Sequence, residues 1–413
     1  MSSFTGALPV SEHYGIGLRV RTSTPADIDQ ATVDAWSDLE RRALDCNAYL
    51  SPHFVLPAAR YLRPDASPMA LVLIETQGAG TRDLAGVGVF EHSPPSKRFP
   101  LPHLKAFHSR HSFLSGLLVD RELAGQVLSA FLEYFGRAAS PWHGVEFRML
   151  PREGAFSELL QHAAVRHDVP WFEYRREERA ILVPALAGDV YLKEKLSNER
   201  RKDLQRRMRR LQEQGEVSWR AFAGAEVTDD HVESFLDLEH RGWKGQDGTS
   251  LRSRPADEAF FRQMIDGFRK EGRVVFTELC LAGRPIASTT NLVSGDVGFA
   301  FKLGWDPAHA KMAPGVLNEV ELIRHAPRLF PGTHYVDSGA APGSFMEELW
   351  VNRRRLVSGA FAVTSLGRSL LYAIDKAARW KRSIVGLKHR FISVLAIFGY
   401  LWGSLAYTLY DPS

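Results

Sequence analysis

Ala35, Trp36, Leu39, Ala43 and Leu44 recur at spacings of three and four, which predicts an amphipathic helix ending near Asn47. Apolar runs over 70–75 and 84–91, separated by the turn-rich TQGAGTRD, predict an antiparallel hairpin. The prolines of 93–103 exclude a helix or central strand there. A strand over 112–119, a helix over 121–138 and a strand over 144–150 follow. The second half repeats the order. A helix at 230–241 precedes β runs at 274–281, 284–293 and 297–303, with Ala282-Gly283 and Ser294-Gly295-Asp296 as turns. Then come a loop over 305–313, a helix from Pro314 to about Ala326 and a strand at 334–338. Helix, hairpin or meander, loop, helix and strand thus occur twice, the pattern of two α/β domains of one kind. At their junction, Leu192, Leu196, Leu204, Met208 and Leu211 mark the buried stripe of one long helix over 190–214, ended by Gly215.

Composition narrows the class. At 413 residues, with 45% hydrophobic and 24% charged positions, the chain suits two or three globular domains and excludes global disorder. Its net charge of +4 is too small to imply a polyanionic partner unless clustered. Two distant cysteines, Cys46 and Cys280, suggest neither disulfides nor a zinc site, which fits a reducing cytoplasm. No signal-peptide pattern opens the chain. The sharpest compositional break is at the other end, where the uncharged 391–410 follows the basic 379–390. That apolar stretch is about the 20 residues needed to span a bilayer, so a helical tail over 366–413 can anchor in the inner membrane, lie flat on it, or pack on the domains as an amphipathic helix.

Chemistry can reside in a few stretches. Arg200, Arg201, Lys202, Arg206, Arg207, Arg209 and Arg210 concentrate charge on one helix, able to bind phosphate or simply to face water. Arg200 and Arg201 fall beside the apolar stripe, where a cation needs an acid, a carbonyl or a ligand. Pro314-Gly315 begins a helix after a β-meander, where free N–H groups can receive a phosphate, with Lys311 adding charge. Asp337 ends a strand and is a candidate general base, or a turn cap; Tyr335 is a candidate acid, and Glu278, Lys302 and Glu348 are further ionisable candidates. Trp243-Lys244-Gly245 closes a helix and can line a cleft. His103, His108 and His111 lack the companions a metal site needs. P-loop, Rossmann, zincin and GxSxG signatures are absent from the sequence.

With these residues in place, the sequence resembles the CelD-like acetyltransferases of cellulose and exopolysaccharide biosynthesis. That family belongs to the GNAT superfamily and is related to the paired-domain Fem peptidyltransferases. The carrying features are Trp36…Asn47-Ala48-Tyr49-Leu50-Ser51-Pro52, Ser197…Arg201…Leu204…Arg207…Leu211…Gly215, Trp243-Lys244-Gly245…Gly248-Thr249, Phe301…Gly304-Trp305-Asp306-Pro307, Pro314-Gly315 and Asp337…Gly339. The resemblance implies tandem GNAT-like domains over 18–184 and 185–365, each a mixed, mostly antiparallel sheet flanked by helices. It implies acyl-CoA, without a metal, held by Lys302, Leu303, Gly304, Lys311, Pro314, Gly315 and Val316. Asp337 or Glu348 would serve as base, with Tyr335 nearby, and Arg201, Trp243, Lys244 and Phe301 would meet substrate. The acceptor implied is an amine or hydroxyl of a small molecule or glycan. Only part of the usual Arg/Gln-x-x-Gly-x-Gly/Ala loop is present in Lys311–Val316, and Ala340–Met346 lacks the lysine that relatives carry. Two alternatives stand beside this reading: a Fem-like transferase using aminoacyl-tRNA, the one nucleic acid considered, and a non-catalytic scaffold of an exopolysaccharide machine.

Overall fold

Backbone pairing runs without a break through both halves of the chain in the computed structural model, which describes residues 11–14, 17–63, 69–76, 83–96, 98–136 and 141–377. The first half comprises β1 (Ser11–Tyr14), β2 (Leu18–Ser23), α1 (Gln30–Arg41), α2 (Pro52–Leu62), β3 (Ala70–Thr76), β4 (Leu84–Ser93) and β5 (His103–Ala106). It continues through β6 (Leu118–Val119), α3 (Ala124–Gly136), β7 (Gly144–Pro151), α4 (Ala155–Arg166) and β8 (Trp171–Leu182). The second half opens with α5 (Asp189–Lys195), α6 (Asn198–Gln212), β9 (Val217–Ala223), α7 (Asp229–Arg241), α8 (Trp243–Gln246) and α9 (Pro255–Lys270). It closes with β10 (Val274–Leu281), β11 (Arg284–Ser294), β12 (Val297–Trp305), α10 (Pro314–Leu329), β13 (Tyr335–Asp337), α11 (Met346–Leu349) and β14 (Asn352–Ala362).

The strands lie in the order β1-β2-β3-β4-β5-β7-β14-β8-β13-β12-β11-β10-β9, with β6 on β4. All neighbours are antiparallel except β5 with β7 and β12 with β13, one parallel pair in each half. The middle of the sheet is exchanged. β8, from the first half, pairs with β13 of the second, and β14, from the second half, pairs with β7 of the first. The long β8–β14 pair therefore belongs to both halves.

Three large apolar clusters and a small one around Phe99, Ala360, Ala362 and Leu371 cover the sheet. One is shared: Tyr49, Phe54 and Phe107 of the first half interlock with Phe260, Phe299 and Phe301 of the second. Such edge-to-face contacts add to the burial of large rings. The second cluster lies under α3 and α4, and the third under α5, α6 and α10. α7 and α9 thus cover one face of the second-half strands and α10 the other.

The single helix expected over 190–214 is two. Leu196 is extended, and the Ser197 hydroxyl accepts the Arg200 N–H to start α6 afresh. The strand expected over 112–119 pairs only at β6. Residues 365–377 are helical; the expected membrane segment at 391–410 lies outside the described residues. Among the described residues no helix is long and apolar enough to cross a membrane.

Candidate active site

β12 and β13 stay together for three residue pairs, ending at Phe299 and Asp337. Against β11, Thr290 faces Lys302 while Asn291 faces Ala300, so Phe301 is an extra residue in β12. This bulge bends the strand at the point where parallel pairing stops, opening a seam in the sheet. Phe301 and Lys302 sit at that bend. The Lys302 ammonium lies over the rings of Phe301 and Phe113, at 5.4 and 5.8 Å from their centroids. No hydrogen bond or ion pair meets it among the described residues. Burial first, then the nearby Lys244 charge, push Lys302 down to about 8, against the pull of Glu239 and Asp257.

The first half supplies the opposite wall. His111 is 4% exposed, and its Nε2 lies 3.0 Å from Asp257 Oδ1 of α9. Its ring stacks on Phe260. Asp257 also accepts Arg110 Nε at 2.8 Å. Burial raises the carboxyl of Asp257, but the hydrogen bonds from His111 and Arg110 outweigh it and hold the group below its ordinary value. Burial pushes His111 down, against the Asp257 hydrogen bond. A neutral ring that donates Nε2–H to Asp257 leaves a lone pair on Nδ1, and Nδ1 is buried without a partner. Such an orphan acceptor is costly unless a ligand meets it.

Other anticipated residues have structural partners. Asp337 is 1% exposed; Arg179 donates to its Oδ1 at 3.2 Å, Arg354 to its Oδ2 at 3.3 Å, and Gly339 N–H to Oδ1 at 2.8 Å. Both oxygens of Asp337 are thus engaged by arginines that come from β8 and β14. Tyr335 lies beneath Arg354, and burial pushes its phenol up, so it holds its proton. Glu348 is 60% exposed and pairs with Arg200 at 2.8 Å, on the α6 side of the fold. Neither joins Lys302. Lys244 donates to Glu239 Oε1 and to the Leu303 carbonyl, both at 2.9 Å, and so pins α8 to β12. The Trp243 side chain lies outside the described residues.

At the start of α10, Ala313 is left-handed, and Val316 and Leu317 N–H groups turn back to its carbonyl. Pro314 has no N–H, so Gly315 offers the unused donor. A Cβ on Gly315 would lie 3.3 Å from both Leu303 and Trp305, so its smallness first serves helix-to-strand packing. Lys311 is exposed, and Arg207 donates to its carbonyl at 3.2 Å. Arg207 is itself paired with Asp203 at 2.7 Å, so one free N–H, a helix start and Lys311 are what fit a phosphate-bearing group. Among the described residues no set of His, Cys, Asp and Glu could hold a metal ion.

Residues 198–345 match the family described as acetyltransferase (GNAT) domain. The fold is similar to the crystal structure of FemX, with 10% identity, a TM-score of 0.51 and coverage of 80% of this chain and 95% of that one. The C-terminal domain of a lysylphosphatidylglycerol synthetase from Agrobacterium fabrum aligns at 12% identity and TM-score 0.49, covering 80% and 91% of the two chains. A tandem GNAT protein of the clavulanic acid biosynthesis pathway aligns at 13% and 0.40, covering 83% and 98%. No curated protein matches by sequence. The chain is an α/β protein with a mixed, mostly antiparallel sheet flanked by helices, its fold is similar to that of FemX, and its second half matches a GNAT domain.

Proposed function

We propose that this chain is an acyltransferase that carries an acyl group from acyl-CoA to an amine or hydroxyl acceptor. The carrying observation is that His111 Nδ1, buried without a partner, lies near enough to the Lys302 ammonium, itself seated over aromatic rings, to feel its charge. His111, neutral and oriented by Asp257, takes the proton of the attacking amine or hydroxyl, and Asp257 steadies the imidazolium that results. Lys302 faces the negative charge that develops on the acyl oxygen. Gly315 N–H and Lys311 would hold the phosphates of the donor, whose thioester supplies the activated acyl carbon. With α10 on one face and α7 and α9 on the other, donor and acceptor meet at the seam from opposite sides.

The resemblance to CelD-like proteins points to an acceptor in exopolysaccharide or the cell envelope. The test is release of free CoA thiol from acetyl-CoA and longer acyl-CoAs, with amine and hydroxyl acceptors, in wild type and His111→Gln. Acceptor-dependent release that collapses in the variant, with thermal stabilisation by acyl-CoA kept, supports the reading. Absence of both stabilisation and release with every thioester overturns it. Transfer from aminoacyl-tRNA would then favour the Fem-like alternative, and its absence the scaffold.

A further inference from the structure

We propose that the groove between α5, α6 and α10 binds the phosphate head and adjoining hydrocarbon of a single-chain lipid. The cavity is about 500 Å³, within the range of small-molecule sites. Leu192, Leu196, Leu204, Met208, Leu317 and Val320 form its floor. Most of these side chains are buried, so the floor is an apolar surface on which a ligand's own hydrocarbon leaves water.

Charge selects the other end of the ligand. Arg200, Arg206 and Arg207 of α6, which stand outside the lining, are each paired with an acid. Of the four cations that line the groove, beside the one acid Asp189, three are not: Lys193 and Arg209 have no acidic partner among the described residues, and Arg201 reaches only the neutral amide of Asn198. Arg324, at the far rim, is already held by Asp189 and Glu321. Three uncommitted cations around one apolar trough suit a dianionic phosphate better than a carboxylate, and the arginine fork suits its oxygens. Among the described residues no aromatic side chain lines the cavity, so a nucleobase finds none there to stack on. The groove uses the Leu317–Val320–Arg324 face of α10, separate from the face on the sheet, and the inference stands whether or not the chain transfers acyl groups.

Calorimetry on the full chain tests it, with monomeric dodecyl phosphate as probe and inorganic phosphate, dodecyltrimethylammonium and CoA as comparisons. Dodecyl phosphate is expected to bind, at least tenfold more tightly than inorganic phosphate, while the cationic amphiphile does not bind. Affinity falls at least tenfold in Arg201→Glu/Arg209→Glu and in Gln205→Trp, which fills the trough from an exposed rim position. Thermal midpoints without ligand report that these variants fold; Lys193→Glu, on a different helix, replaces the double variant if it does not. Unchanged affinity in the folded variants, equal binding of inorganic phosphate, or equal binding of the cationic amphiphile overturns the proposal. Displacement of dodecyl phosphate by CoA at equal concentration also overturns it, by giving the groove to a nucleotide.

Discussion

Arg179 and Arg354 stand directly opposite each other across β8 and β14, and both reach the carboxylate of Asp337. Like charges at facing positions of a sheet repel, so the pair is tolerable only because an anion sits between them, with Asp45 at 3.2 Å from Arg354 supplying a second. The contact ties the strands exchanged between the two halves to β13.

Asp337→Ala should therefore act on stability first. Removing one partner of a buried ion pair typically costs about 3–5 kcal/mol. Urea unfolding should show a lowered midpoint. Folded protein should keep the pH dependence of wild-type turnover, and a lost acid limb would restore Asp337 as base.

A bell-shaped dependence of kcat/KM on pH is expected for acyl transfer. Burial lowers the His111 pKa, so the base is lost only as pH falls through that depressed value, and the charge on Lys302 is lost as pH rises through about 8. Losing a general base costs about 10²–10⁴-fold in rate. His111→Gln should remove the acid limb and Lys302→Gln the basic one. A basic limb that persists in Lys302→Gln would separate that residue from the chemistry.

Glu319 of α10 is 3% exposed, with Oε2 unpartnered, and burial raises its carboxyl to about 8. The native state then holds a proton that the unfolded chain releases near pH 4.5, so this group makes stability fall as pH rises from about 4.5 to 8. The loss is on the order of 5 kcal/mol. Glu319→Gln should flatten the decline in thermal midpoint between pH 6 and 8, and an unchanged slope would show that the carboxyl is ionised in the fold.

Gly304 marks the close approach of α7 to β12. An added Cβ would lie 2.8 Å from the backbone nitrogen of Glu239, which cannot rotate aside. Gly304→Ala should cost about 1–3 kcal/mol through overpacking. Because Glu239 anchors Lys244, turnover should fall along with the thermal midpoint. A stability equal to wild type would mean that α7 shifts freely.

The second-half meander was legible because its signals are local. Alternating apolar runs meet turns at Ala282-Gly283 and Gly295, and all three residues adopt positive φ. Phe301, Lys302 and Gly315 were singled out from the same stretch, and the structure places all three along β12 or against it. The break at Ser197 was also written locally, in a capping serine before the basic run, but the apolar stripe on either side masked it. β8 was not legible: its middle, Glu173–Glu178, is charged, and its strand character comes from pairing with β13 and β14.

The sequence by itself determined the two-fold order of elements, because periodicity, glycine turns and helix starts act within a few residues of one another. Only the tertiary structure decided the chemistry. His111 and Asp257 are 146 residues apart, as Arg179 and Asp337 are 158, and no local pattern reports which buried polar group will meet which partner. Burial and pairing, which leave His111 Nδ1 and Lys302 open and close off Asp337, exist only once both halves have folded onto the shared aromatic core.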